Sequence, residues 1–141
     1  MEFRVPRVTR VPRVKRTFKN KNMENKEFSR MLEKRTKAFA IRIIRLSSEL
    51  PNSVEGRVIR NQITKSGTSI GANYREANRS RSRADFKNKV KICESETSET
   101  SYWTEIIRDM DWIGVETLSS VIAETDELLS IFTSIGKSMS N

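Results

Sequence analysis

Three glutamates, one cysteine and a run of seven cations are the side chains whose types and spacing could do chemistry in this chain. Glu96 and Glu99 stand three apart on one helical stripe, and Glu76 can join them from the preceding helix. Such a trio could hold a divalent metal, but ferritin-like bundle centres use Glu-x-x-His motifs, and the chain has no histidine. The expected role is a structural polar core. Gln62, Ser66, Ser69, Asn73, Glu76, Glu96 and Glu99 would satisfy one another there, because an unpaired charge in a core costs several kcal/mol. Without histidine, Ser-His-Asp triads, His-based acid/base schemes and most zinc sites are excluded as well. Lys65-Ser66-Gly67 lacks the leading glycine and the preceding strand of a phosphate loop. Cys93, the single cysteine, falls on an apolar seam and has no basic partner to make it a thiolate. No catalytic residue, metal or cofactor is expected.

The cations are the stronger signal. Arg75, Arg79, Arg81, Arg83, Lys87, Lys89 and Lys91 lie within seventeen residues that hold only two acids. A charge run is ordinarily a solvated surface, but this one would make a local positive potential able to attract a phosphate backbone. It could also meet an acidic surface of a neighbouring copy, and the two uses do not exclude each other. Across the 141 residues the net charge of +9 is unevenly spread. Residues 1–22 carry net +7, residues 23–74 carry +5, residues 75–91 carry +5, and residues 92–141 carry −8. The N-terminal stretch RVPRVTRVPRVKR, interrupted by Pro6 and Pro12, reads as a basic disordered extension. It is either a nucleic-acid arm or a solvated extension upstream of a start at Met23.

The elements that must position these residues are helices. Phe28, Leu32, Phe39, Ile43, Leu46 and Leu50 recur at helical steps until Pro51. Asn52 with Glu55 looks like the capping box of a second helix, which runs to Ala77 with Ser66, Gly67, Ser69, Gly71 and Ala72 in its second half. Small residues there invite close approach by another backbone, which offsets the roughly 1 kcal/mol propensity cost of each glycine. Asn78 to Ser82 is a linker, and Ser82 with Asp85 caps a third helix. The seam of that helix is Phe86, Val90, Cys93, Thr97, Thr100, Thr104 and Ile107. Gly114 is expected to break it, and a fourth helix from Val115 to a C-terminal Gly136 completes the pattern. The fold expected is all-α, an antiparallel up-and-down four-helix bundle over residues 23–141.

From Gln62 to Ile107 the sequence carries Gln, Ser-x-x-Ser-Ile-x-Ala-Asn-x-x-Glu, a basic linker, Ser-x-x-Asp-Phe and a Glu-rich helix ending in an aromatic. These fall on Gln62, Ser66, Ser69, Ile70, Ala72, Asn73, Glu76, Ser82, Asp85, Phe86, Glu96, Glu99 and Trp103. The stretch resembles the four-helix-bundle family related to proteins encoded in intervening sequences of bacterial large-subunit ribosomal RNA genes. The resemblance implies a left-handed bundle, often in a five-fold ring, without known catalysis. A distant relative, the accessory variability protein of diversity-generating retroelements, forms such a ring and binds nucleic acid and a reverse transcriptase.

The expected function is therefore that of a cytoplasmic, non-enzymatic homo-oligomer, ring-shaped and without membrane contact, that binds nucleic acid, RNA first, through phosphates. The competing expectation is a scaffold that engages a protein partner and uses its charged surfaces for self-assembly. No sequence-specific readout module is present.

Overall fold

The computed structural model describes residues 18–140, with side chains from Glu24 onward. Four helices follow one another: α1 (Phe18–Ser48), α2 (Val54–Ala77), α3 (Arg83–Asp109) and α4 (Val115–Ser138). The described residues contain no strand. Each short connection turns the chain back, and α2 packs on α1 and α3 while α4 packs mainly on α3. This is the expected antiparallel bundle. Residues 1–17 of the basic extension lie outside the described residues, and residues 18–22 form the first turns of α1.

Local chemistry sets the helix ends. Pro51 cannot continue α1, and Arg60 of α2 reaches back to donate to the Leu50 carbonyl at 2.6 Å, satisfying an acceptor of the turn just past that terminus. The cap of α2 is Ser53 rather than Asn52, since its hydroxyl accepts from the Gly56 N–H at 3.0 Å. Ser82 caps α3 as its spacing predicts, accepting from the Asp85 N–H at 3.1 Å. That helix stops at Asp109, before Gly114, because Asp111 takes a positive φ of 59° and reverses the chain. Gly114 becomes the N-cap of α4, and Gly136 lies inside α4 rather than ending it.

The interior combines large apolar side chains with small polar ones. Phe28, Leu32, Phe39, Ile43, Leu46 and Leu50 of α1 are all buried, as is the α3 seam from Val90 to Ile107. At Gly67 a Cβ would sit 2.8 Å from Ile43 Cγ1 and Cγ2, and at Gly71 one would sit 3.0 Å from Thr36 Oγ1. The two glycines therefore let α1 close on α2. On the other side of α2, the hydroxyls of Ser66 and Thr100 share a 2.9 Å hydrogen bond. The buried threonines need no distant partners, because each hydroxyl bonds a carbonyl of its own helix: Thr36 to Leu32, Thr97 to Cys93, Thr100 to Glu96 and Thr125 to Val121, at 2.7–2.9 Å.

The α1–α4 side is built differently. Arg35 forms a fork with Glu124 at 2.8 and 2.7 Å and also reaches Glu127 at 3.0 Å. Arg42 donates to Ser120 at 2.7 Å. The Glu124 hydrogen bond, with a smaller contribution from Glu127, holds the Arg35 guanidinium protonated against the opposing effect of burial.

Candidate nucleic-acid interface

The α2–α3 linker places the basic run at one end of the bundle. Tyr74 anchors that end: it is buried edge-on against Phe132 with ring centroids 5.7 Å apart, and burial pushes its hydroxyl above the usual phenol range. Glu33 of α1 ties down the last turn of α2, accepting from Asn78 Nδ2 at 2.8 Å and pairing with Arg75 at 3.5 Å. Lys89 is drawn to Glu76 across the α2–α3 seam at 3.1 Å.

The seven cations are therefore not equivalent. Arg75 and Lys89 have acidic partners. Arg79 and Arg81 project from the linker and Arg83 from the first turn of α3, all exposed. Lys87 and Lys91, four residues apart on one face of α3, continue the positive surface along the helix. Among the described residues, Arg79, Arg81, Lys87 and Lys91 form no ion pair. The start of α3 adds the positive end of its backbone dipole. Sequence reasoning missed Lys26 and Arg30, which line a shallow depression with Asn25, Ser29, Glu33 and Asn78 at this end of the bundle. Only the antiparallel return of the chain brings these α1 residues beside the linker.

The polar set is placed differently from the expected core. Ser66 is fully buried, but Ser69 and Asn73 are half-buried and bond carbonyls of their own helix, and Gln62, Glu76 and Glu99 are exposed. Glu99 accepts from the Trp103 indole N–H at 3.2 Å. Glu96 is half-buried, and burial together with the nearby Glu99 raises its carboxyl above the usual range, opposed by Lys65. The interior network is thus a threonine–serine ladder, and the longer polar side chains of the motif form the outer surface of the α2–α3 pair. The reason is desolvation: a hydroxyl can be satisfied by its own helix, whereas a buried carboxylate needs a cation beside it, as Arg35 gives Glu124 between α1 and α4, and Lys65 and Lys89 near the α2–α3 carboxylates lie at the surface or half-exposed.

Cys93 lies on the seam, its thiol 3.5 Å from the Ile70 carbonyl, and burial pushes it up to about 12, so it stays a protonated core side chain. Among the described residues no group of three His, Cys, Asp or Glu side chains is arranged to hold a metal ion. No described helix is long and apolar enough to cross a membrane.

Comparison with known proteins fits the four-helix fold. The profile of the 23S rRNA-intervening sequence proteins matches residues 29–134, spanning all four helices. The chain belongs to that family. A crystal structure of a protein of unknown function from the S23 ribosomal protein family of Bacteroides thetaiotaomicron is 38% identical. The match covers 77% of this chain and 97% of that one, with a TM-score of 0.71. No curated protein matches. In this member of the intervening-sequence family, the motif residues divide between the inner seam (Ser66, Ile70), the outer face (Gln62, Asn73, Glu96, Glu99) and the capped linker (Ser82, Asp85).

Proposed function

We propose that the protein is a non-enzymatic, cytoplasmic homo-oligomer that binds nucleic acid, RNA in preference, by phosphate contacts at the linker end of the bundle. The observation that carries this reading is the cluster of Arg79, Arg81, Lys87 and Lys91, exposed or half-buried and without an acidic partner among the described residues. Cations left unpaired while nearby Arg75 and Lys89 are paired keep their field available to an external polyanion. The family's association with an rRNA intervening sequence makes RNA the first polyanion to test. Binding would be shape- and charge-driven, with little base readout.

The test is the salt dependence of RNA affinity in the full chain. Replacing Arg79, Arg81, Lys87 and Lys91 by Gln should reduce the slope of log affinity against log salt by about 3 to 4, since each lost phosphate contact removes about 0.7 to 0.9. The N-terminal cations are the same in both proteins, so the difference in slope reports on the folded surface. An unchanged slope would reject the reading for the bundle.

A second reading is favoured by the exposed apolar side chains Ile41, Ile44, Ile92 and Met110, which are 39–52% accessible. These support a protein-interaction scaffold, in which the charged surfaces serve assembly. That reading predicts no measurable RNA binding by the bundle even at low salt.

A further inference from the structure

Two outward stripes of the bundle share one spacing. On α3, Ile92, Glu96, Glu99, Trp103, Ile106 and Met110 follow steps of 4, 3, 4, 3 and 4, outside the buried seam. On α1, Arg30, Lys34, Lys37, Ile41, Ile44 and Ser48 follow the same steps, opposite the residues that enter the core. This heptad-like spacing is that of a helix seam; the α1 stripe faces away from the core, and the α3 stripe flanks it, with Trp103 half-buried against the core and Ile92 and Met110 exposed. Both carry exposed apolar side chains, Ile41 and Ile44 on α1 and Ile92 and Met110 on α3, at 39–52% accessible; Val54, Val58, Tyr102 and Val115 are exposed elsewhere on the bundle.

We infer that the α1 stripe of one copy docks on the α3 stripe of the next, parallel and in one register, as the contact that builds the oligomer. This deepens the oligomer of the proposed function and rests on it. The occupant is identified by complementarity. Aligned in parallel, Lys34 meets Glu96, Lys37 meets Glu99, Ile41 meets Trp103 and Ile44 meets Ile106, so the four central positions match in charge and apolarity, while at the two ends Arg30 meets Ile92 and Ser48 meets Met110 with their polar tips free to reach water. The antiparallel alignment of the same stripes sets Ile41 on Glu99 and Ile44 on Glu96. Sliding the parallel alignment by one heptad sets Ile41 on Glu96 and Ile44 on Glu99. Both alternatives bury carboxylates against aliphatic side chains, at a desolvation cost nothing repays.

The bundle supplies the polarity this requires. In an up-and-down fold α1 and α3 run in the same direction, so copies standing side by side with like orientation present parallel α1 and α3 to each other. The contact joins different faces of the two copies, which makes it heterologous and able to propagate around a ring. Within one copy Gly67 packs at Ile43 and the adjacent Ser66 at Thr100, which puts Ile44 about level with Thr100. Pairing Ile44 with Ile106 therefore staggers neighbours by about six residues, or about 9 Å at 1.5 Å per residue, and a closed ring absorbs this by tilting each bundle. Glu96 fits the assignment: it is half-buried, and burial with the nearby Glu99 raises its carboxyl above the usual range, a cost that an incoming lysine would relieve.

The experiment is charge reversal read by sedimentation equilibrium of the full chain at micromolar concentration. The double variants Lys34→Glu/Lys37→Glu and Glu96→Lys/Glu99→Lys should each weaken association by about 100-fold, since like charges then face each other across the contact. The variant carrying all four reversals should reassemble. Far-UV circular dichroism should show all three folded. A wild-type chain that sediments only as a 16.3 kDa monomer would overturn the oligomer itself. An oligomer unchanged in both double variants would leave the oligomer standing and overturn the choice of faces, as would failure of the four-fold variant to reassemble.

Discussion

The inner and outer faces of the α2–α3 pair carry almost equally polar residues and treat them in opposite ways. Inside, Ser66, Thr97, Thr100 and Thr104 are 0–1% accessible and lie among Ile63, Ile70 and Ile107. Outside, Gln62, Glu76 and Glu99 stay in water, with Asn73 and Glu96 at the margin. What separates the sets is how far each polar group must reach to be satisfied. A threonine hydroxyl meets a carbonyl one turn back on its own helix, so burying it asks nothing of the neighbour. A carboxylate has no acceptor-to-donor match on a helix backbone and needs a cation, and the nearest ones, Lys65 and Lys89, are themselves on the surface or half-exposed.

The largest effect should come from filling the inner face. Gly67→Leu would drive a side chain into Ile43, which is fully buried, and should cost about 3 kcal/mol, whereas Ala72→Leu on the exposed side should stay within about 0.5. Urea denaturation of both variants measures the contrast, and similar midpoints would mean that α1 and α2 can separate without penalty.

Next in size is the polar ladder. Thr100→Val keeps the volume but removes the bonds to Ser66 and to the Glu96 carbonyl, leaving Ser66 with only a 3.4 Å contact to Ile63 O. The expected loss is about 1 to 2 kcal/mol, and the double change Ser66→Ala/Thr100→Val should recover part of it, because no hydroxyl is then left stranded. A double-mutant cycle by chemical denaturation checks the coupling.

On the outer face, Glu99→Ala should move the unfolding free energy by less than about 0.5 kcal/mol, far below the loss that an interior carboxylate would cause. A loss above about 2 kcal/mol would return Glu99 to a structural network.

The smallest effect concerns pH. Burial raises the Glu96 carboxyl above its ordinary value of 4.5, so the folded protein binds a proton more readily than the unfolded chain does. Folding is therefore penalised above the raised value, and the penalty is relieved as pH falls through it toward 4.5. Glu96→Gln should be slightly more stable than wild type at pH 7, by less than about 0.5 kcal/mol given solvent screening, and the advantage should vanish below pH 4. Thermal melts of the dilute protein across that range read the difference.

The basic end was legible because charge counting needs no structure: seven cations in seventeen residues mark it whatever the fold. The sorting of those cations was not legible. Arg75 is claimed by Glu33, forty-two positions earlier, and Lys26 and Arg30 join the site across the same antiparallel turn. Spacing along the chain does not encode such pairings.

Steps of three and four residues and hydrogen bonds within one turn are enough to set the four helices, the α3 seam from Val90 to Ile107 and the Ser82 cap. The tertiary structure alone decided how α2 and α3 are rotated about their own axes. Thr100 and Glu99 are adjacent in the chain but point about 100° apart around a helix with 3.6 residues per turn, and even Ser66 and Ser69, on one stripe, differ by about 60°. Which of them enters the core depends on where the neighbouring helices close, at Gly67 against Ile43 and at Gly71 against Thr36, and that contact exists only once all the helices have packed.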